Sequence, residues 1–449
     1  MAGRGEFSSR MGFILAASGS TVGLGNIWGF PTQTANNGGA AYLLVYLVLA
    51  FCLAYPAFVA ELIIGRHAKA NAVAALQLIA RGPVSRALGS LTGYAGIVTA
   101  SLILSFYSIV AGWTLGYGLA SLAELAGYDA LATWLVGFGI ARNLVFSAAF
   151  MMLTAWIISA GVKDGIEKWS ARLMPSLLLI LLLLIAWVLT LDGATAGLKA
   201  YLIPDFSRAV DLKLIVSALG QSFFSLSLGV GTILIYGSYV SRSENLPLLG
   251  LATTLIDIGV AVTAGLLIIP AMYVAEHNGV PIYDAAGRLI SEDTLVFTVL
   301  PALFDTMGTM GIFVSTAFFV LMSIAALTST ISMLEVPVAY AVENHELPRK
   351  RATWAIAAVI TLSSAVIVLN FDALFGFTIA LSTRYSEPLL GLMFCVFAGW
   401  IWHRDSLLAE IREGWPDAAN SLFWKIWPFY IRFVCPLAIL AVFGNLLLS

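Results

Sequence analysis

Eleven apolar stretches, each long enough to cross a bilayer, follow one another along this chain. A crossing helix needs about 20 predominantly apolar residues. Such windows lie near 11–35, 41–65, 89–120, 143–161, 172–192, 214–240, 248–274, 309–342, 353–370, 374–402 and 422–447. With 60% hydrophobic and 11% charged residues over 449 positions, the chain lacks the polar side chains to cover a soluble body of its size. An all-α integral membrane protein of eleven transmembrane helices is predicted. Residues 1–10 are short and polar and the first span lacks a small-residue cleavage site, so no cleaved signal peptide is expected. Cys52, Cys395 and Cys435 lie in apolar stretches, which suits buried thiols better than a disulfide framework.

Lys and Arg fix the predicted orientation. Segments on the N-terminal side carry Arg4, Arg10, Arg66, Lys69, Arg81, Arg86, Lys163, Lys168, Arg172, Arg242, Arg349, Lys350, Arg351, Arg404, Arg412 and Lys425. Those on the other side carry only Arg142, Lys199, Arg208, Lys213 and Arg288. The N-terminus is expected in the cytoplasm and, with an odd number of spans, the C-terminus outside an inner (cytoplasmic) membrane. The net charge of −2 points to no partner class, and nucleic acid is not expected as one. The long loop 275–308 is expected to form a cap on the outer face, and RDSLLAEIREGWPDAAN an amphipathic surface helix on the cytoplasmic face.

Two spans are interrupted at their centres. The first contains GSTVGLGNIWGFP (19–31), with Gly19, Gly23, Gly25 and Gly29 among hydroxyl and amide side chains. The sixth contains QSFFSLSLGVGTILIYGSY, where Ser225 and Ser227 precede Gly229 and Gly231. Each break has a G-x-G, and the two occupy corresponding places in successive five-span halves. Paired interruptions of this kind mark a transporter binding site near the bilayer midplane. Unwinding frees backbone groups that cost several kcal/mol each in lipid unless something binds them. Half-helix N-termini attract a carboxylate, and freed carbonyls with hydroxyls suit a hard cation. The blander reading is that Gly pairs four apart let helices pack closely. A dinucleotide fingerprint fails, since no strand precedes the string and the G-x-G-x-x-G spacing is missing. On the eighth span, Ala325, Thr328 and Ser329 in AALTSTISMLEVPVAY fall within about one turn and face one way. They either bond the preceding turn or form the other wall of a cation site.

GSTVGLGNIWGFP, ANNGG, FYSIVAGWTLGYG, FFSLSLGVGTILIYGSY and ALTSTISMLEVP together resemble the neurotransmitter:sodium symporter family, in particular its bacterial amino-acid branch. The resemblance runs from Arg4 to the eleventh span, and its five motifs occur in the right order. It implies a 5+5 inverted repeat with discontinuous helices 1 and 6. The division would be a cytoplasmic gate segment (1–10), a first repeat (11–192), an outer loop (193–213), a second repeat (214–402), a cytoplasmic amphipathic segment (403–421) and span 11 with an outward C-terminus (422–449). It further implies a symporter of neutral amino acids driven by two sodium ions. The first ion would take the Thr21 carbonyl, Asn26, Ser225 and a residue of span seven that is Ile256 or Asp257, depending on a one-residue gap. Asp257 is preferred, because an aliphatic side chain cannot ligate sodium. The second ion would take the carbonyls of Gly19, Val22 and Ala325 and the hydroxyls of Thr328 and Ser329. The substrate pocket would comprise Ser20, Thr21, Gly23, Leu24, Gly25, Ile103, Tyr107, Phe223, Phe224, Ser225, Ser227, Val230, Ser329 and Met333, with Tyr107 donating to the substrate carboxylate.

Family members that carry monoamines have an aspartate where this chain has Gly23, so a zwitterionic substrate is implied, and the apolar Ile103, Phe224, Val230 and Met333 favour a hydrophobic or aromatic side chain. A carboxylate on Asp257 implies that chloride is not required. Arg4 and Glu343, with Ser238 and Tyr239, match the cytoplasmic gate. The outer Arg–Asp gate is missing, with Gly29 and Phe375 in its place, so outer closure is expected to be apolar, with Phe375 a lid over Tyr107 and Phe224. Glu61 matches a carboxylate that holds unwound backbone. Arg384 and Glu387, three apart on span ten, are either functional or a self-neutralising pair. His67, His277, His345 and His403 all fall in loops or at span ends, which leaves no central base or ligand cluster for an enzyme. A transporter of a larger or non-amino-acid molecule, a channel, and a non-transporting sensor of the same fold are the competing readings.

Overall fold

The computed structural model describes residues 5–204, 211–282 and 295–448. Arg4, Arg208 and Arg288 lie outside the described residues, as do residues 283–294 of the 275–308 loop. Among the described residues all regular structure is helical. Eight unbroken helices are long and apolar enough to cross a membrane: Ala40–Ala68, Pro83–Leu125, Ile140–Ser159, Val162–Val188, Leu246–His277, Thr309–Asn344, Arg349–Leu369 and Leu422–Asn445. They are spans 2, 3, 4, 5, 7, 8, 9 and 11. Span 1 is Arg10–Thr21 plus Gly25–Asn36, bent by 56°. Span 6 is Leu212–Ser225 plus Thr232–Gly237. Span 10, Phe371–Ile401, ends in a 103° turn into Arg404–Gly414. Helices stand at each of the eleven expected positions; among the described residues eight are long and apolar enough to cross by themselves and the two bent pairs bring this to ten, while span 6 is two short halves, and the two expected breaks fall where the glycines lie.

Local chemistry starts the helices. Ser9 Oγ accepts from Gly12 N at 2.9 Å to begin span 1, and Asn245 Oδ1 accepts from Leu248 N at 3.1 Å to begin span 7; each satisfies one of the donors a helix start leaves unpaired.

The side of the bundle holding Arg10, Arg66 and Arg349 is called the basic side below. There Arg66, fully buried, donates from Nε to Glu410 Oε1 at 2.6 Å and also to the Glu410 carbonyl. It donates as well to the carbonyls of Arg242 and Glu244. These bonds strap the amphipathic helix Arg404–Gly414 across spans 2, 6 and 7, with Leu407 and Ile411 buried beneath it. On the opposite side the helix Leu295–Thr306 closes over spans 1 and 3, the Tyr117 hydroxyl donating to the Phe297 carbonyl at 3.1 Å. Arg142, counted above as a loop charge, is buried on this side, donating to the Leu135 carbonyl at 3.0 Å and to Asn143 at 3.1 Å.

Candidate functional site

The two breaks meet. In span 1, Val22 leaves the helix with extended backbone (ψ 106°), and Asn26 Oδ1 reaches back to accept from Gly23 N at 3.1 Å. The freed Leu24 N–H donates to the Tyr107 hydroxyl at 3.0 Å. A side chain at residue 23 would run into the hydroxyls of Ser329 and Tyr107, so glycine is a steric requirement there. In span 6 the chain reverses through Ser227, Gly229 and Gly231, with φ of 51°, 85° and 85°. Left-handed backbone is easy for the two glycines and strained for Ser227. The Gly229 N–H donates to Glu61 Oε1 at 2.6 Å. Glu61 thus does hold unwound backbone, but that of span 6.

Between the breaks, Asn26 Nδ2 stands 2.9 Å from Ser225 Oγ, 2.8 Å from Asp257 Oδ1 and 3.1 Å from the Asp257 carbonyl. Ser225 Oγ donates to Asp257 Oδ2 at 2.8 Å, and the Thr21 hydroxyl stands beside the same carboxylate. All four residues named for a first sodium are brought together and buried; of the two alternatives on span 7, Asp257 is fully buried in the cluster, while Ile256 lies only partly buried against the core. The second set also converges. Ser329 Oγ donates to the Val22 carbonyl at 3.4 Å, Thr328 Oγ1 to the Ala325 carbonyl at 3.0 Å, and Gly19 packs against Thr328.

Beside these clusters lies a cavity of about 20 Å³, room for little more than one water. Ten of the expected pocket residues line it: Thr21, Gly23, Gly25, Ile103, Tyr107, Phe224, Ser227, Val230, Ser329 and Met333. Ser20, Leu24, Phe223 and Ser225 do not; Ser225 belongs to the Asp257 cluster, and Phe223 is turned toward Gly391 of span 10. Thr232 and Glu387 line the cavity without having been anticipated as pocket residues. Arg384 and Glu387 are not a self-neutralising pair facing inward: Arg384 is exposed and Glu387 buried.

Both ends of the site are shut, by different means. Toward the basic side, Phe7 donates its N–H to the Tyr239 carbonyl at 3.1 Å and packs its ring against Tyr236 and Tyr239. The Tyr239 hydroxyl donates to Glu335 Oε1 at 2.6 Å, and Arg349 forks onto both Glu335 oxygens at 3.0 and 2.5 Å. Glu343, expected to meet Arg4, accepts from the N–H and Nδ2 of Asn71 at 2.8 and 2.9 Å. Ser238 Oγ bonds the Ile235 carbonyl within its own helix. The Glu335–Arg349 fork was missed although Glu335 stands in the quoted ALTSTISMLEVP; a carboxylate inside the apolar run of span 8 was the available signal.

On the opposite side Phe375 is not a lid over Tyr107 and Phe224. Its ring contacts are Phe371 (4.4 Å), Trp113 (5.7 Å) and Phe106 (6.3 Å). The reason is packing register: span 10 meets span 3 through Phe106 and Trp113, one residue before and six after Tyr107, and not through the Tyr107 ring. Closure there centres on Phe297, whose ring meets Trp28, Trp113, Tyr117 and Phe319 at 5.3–6.1 Å. Gly29 stands beside Gln221, whose Nε2 donates to the Gly25 carbonyl at 2.9 Å.

Comparison with known proteins places this geometry. The model of the sodium:neurotransmitter symporter family matches residues 4–136 and 136–448. An uncharacterized sodium-dependent transporter of Bacillus subtilis (strain 168) is 36% identical over 458 residues, covering 98% of this chain and 97% of that protein. The sodium- and chloride-dependent taurine transporter of Bos taurus is 28% identical over 388 residues, covering 76% of this chain and 61% of its own length. The crystal structure of MhsT in complex with L-phenylalanine superposes with a TM-score of 0.84 at 37% identity, covering 99% of this chain and 100% of that one. The chain belongs to the sodium:neurotransmitter symporter family and is a multi-pass membrane protein, a sodium-dependent transporter.

Proposed function

We infer that this transporter imports a neutral amino acid with a hydrophobic or aromatic side chain, coupled to sodium, by alternating access in a cytoplasmic membrane with the basic side inward. The observation that carries this reading is the Asn26–Ser225–Asp257 cluster, which ties both broken spans to span 7 at the edge of an apolar cavity. A half-turn of the Asn26 amide exchanges its donor for its acceptor. With the Thr21 carbonyl, Ser225 and Asp257 it then offers the oxygen ligands a hard cation takes. The substrate carboxylate would complete that shell near the start of the Gly25–Asn36 half-helix, whose dipole favours an anion. Gly19, Val22, Ala325, Thr328 and Ser329 form the second ion site. Gly23 leaves no counter-ion for a lone amine, and the phenylalanine complex of MhsT supports an amino acid of this type. The Asp257 carboxylate supplies a fixed negative charge, which makes chloride unnecessary.

Uptake of labelled phenylalanine into proteoliposomes tests the reading. It is expected to require external sodium, to persist when gluconate replaces chloride, and to disappear in the Thr328→Val/Ser329→Ala double variant. In Asp257→Ser it should become chloride-stimulated. Two coupled ions would make it electrogenic, each charge adding about 2.3 kcal/mol per 100 mV. Uptake indifferent to replacing sodium by choline, or no uptake of any neutral amino acid, overturns it.

A further inference from the structure

Span 11 carries a cation without a counter-ion among the described residues. Arg432 lies ten residues into Leu422–Asn445 and is exposed, and among the described residues its guanidinium makes no hydrogen bond or ion pair. The buried arginines, by contrast, are engaged: Arg66 by Glu410 and Arg142 by the Leu135 carbonyl. An arginine within a membrane span is costly and marks function by default.

Arg432 is nonetheless held in one place. Its Cζ stands 4.1 Å from the centre of the Trp400 ring and 5.5 Å from that of Phe433, and the two rings meet edge to face at 5.4 Å. The Trp400 indole N–H donates to the Arg432 carbonyl at 2.8 Å. A side chain at Gly399 would strike the Arg432 Cα, so spans 10 and 11 touch there backbone to backbone. Each helix widens at this contact: the Trp402 N–H bonds the Phe397 carbonyl, and the Cys435 N–H the Tyr430 carbonyl. Wide turns of that kind are frequent at functional sites. The level of the contact is marked as well. Span 10 ends at Ile401, next to Trp400, before turning 103° into the strapped helix Arg404–Gly414. The first turns of span 11 carry Trp424, Lys425 and Trp427, the composition of an interfacial belt. The cradle thus lies at the margin of the hydrocarbon on the basic side, where lipid headgroups begin.

Stacking on Trp400 occupies a flat face of the guanidinium and leaves its N–H edge for a ligand. That edge matches two oxygens of a phosphate, which arginine grips bidentately. Exposed Lys425, seven residues before Arg432 and so on nearly the same helical face, adds a second positive charge. Phe429 and Phe433, both exposed, continue the surface as apolar area for acyl chains. We propose that Arg432 and Trp400 form a binding site for the phosphate of an anionic phospholipid in the leaflet on the basic side. The bound lipid pins the corner where span 10 turns into Arg404–Gly414. The site is separate from the transport reading and holds whichever substrate is carried.

The experiment titrates the purified full-length protein in detergent with phosphatidylglycerol or with phosphatidylcholine of the same acyl chains, and counts bound lipid by native mass spectrometry. Phosphatidylglycerol should bind about fivefold or more tightly, the order of one basic residue's pull on an anionic lipid, and should raise the melting temperature. In Arg432→Gln the ratio of the two affinities should fall to near one. That change breaks no side-chain hydrogen bond, so the helix pair should persist, and Trp400→Leu, which releases the guanidinium, should weaken the preference independently. Arg432→Lys, which keeps the charge and loses the fork, should retain part of it. Arg351→Gln, at an exposed charge in the first turn of span 9, should leave it intact. Equal binding of the two lipids by the wild type overturns the proposal, and so does a preference that survives Arg432→Gln. A loss as large in Arg351→Gln overturns it too, because a diffuse surface field would then be the cause. Displacement of the lipid by an equal concentration of inorganic phosphate would reduce the site to one for free anions. A lipid-independent dimer that Arg432→Gln dissociates would give this face to a second copy, and either result overturns the lipid site.

Discussion

The two ends of this transporter close the same cavity with opposite chemistry. The basic side is locked by carboxylate–guanidinium bonds, Glu335 with Arg349 and Glu410 with Arg66, each with one member almost fully buried. The opposite side is locked by rings gathered on Phe297, without an ion pair among the described residues of that cluster. Buried ion pairs fail abruptly, because losing one partner strands a charge in low dielectric. Ring clusters fail gradually, since each contact is worth about 0.5–1.5 kcal/mol beyond its burial. The difference teaches that the basic side is a latch with few decisive bonds and the other a seal of many small ones.

The sharpest break of that comparison is Arg349→Met. Glu335, fully buried, would keep only the Tyr239 hydroxyl, and stranding a buried charge costs about 3–5 kcal/mol. The basic side should open persistently, read as strong labelling of a cysteine placed beside Phe7, and stability should fall. Glu335→Leu combined with Arg349→Met should recover much of the stability. If the double variant is no better than the single, the fork is not the latch.

Phe297→Ala comes next. Truncating a buried phenylalanine costs about 3–5 kcal/mol, and if most of that falls on the closed form, opening rises by roughly 100-fold. Phe375→Ala should do much less, because its ring is only partly buried and meets the margin of the cluster. Cysteine labelling from the Phe297 side checks the ranking: equal effects of the two truncations would overturn Phe297 as the centre of the closure, and a larger effect of Phe375→Ala would make Phe375 the principal closure.

Both closures show what the sequence discloses and what it withholds. The spans are legible because about 20 apolar residues in a row admit one solution in lipid. The breaks are legible because Gly229 and Gly231 accept left-handed backbone that other residues resist. The Asn26, Ser225 and Asp257 cluster is legible through its motifs, since the oxygens must lie on those spans. Phe297 is not, because one phenylalanine among many carries no mark of which ring it will meet. Glu387 was noticed as a charge in a span, but its neighbourhood depends on how span 10 lies against span 6, a long-range packing no local pattern encodes. Phe375 was misplaced for a related reason: which rings of span 3 it meets depends on how span 10 leans on that helix, and the motif does not encode it.

The Glu410 latch should be sensitive to acid. Burial raises its carboxyl pKa, but the hydrogen bonds from His67 and Arg66 outweigh that, so the net shift is downward from an ordinary value of 4.5. A carboxyl lowered in the folded state stabilises above its ordinary pKa, and that stability is lost as pH falls through the folded value. Glu410→Gln should therefore melt lower than the wild type at neutral pH, by about 1.5–3 kcal/mol of lost charged hydrogen bonding. The two melting curves should converge as pH drops below 4.5. A gap that stays constant through that range would show that the bond to Arg66 does not depend on the ionised carboxylate.

The smallest effect marks the limit of the latch. Arg242 Nη1 meets Glu413 at 3.0 Å on the same basic side, within reach of the Arg66 and Glu410 strap, but the two side chains are 63% and 35% exposed. Water already solvates both groups, so forming the pair gains little over leaving them apart. Such pairs contribute about 0–1 kcal/mol and are screened by salt. Glu413→Gln should shift the midpoint of unfolding by a small amount at low ionic strength and by nothing measurable at high salt, with labelling beside Phe7 unchanged. Burial, rather than the presence of opposite charges, is then what makes the basic side a latch. A loss in Glu413→Gln as large as that in Glu410→Gln, persisting in high salt, would mean that the whole helix Arg404–Gly414 acts as one rigid clamp and that the buried bonds hold no special place in it.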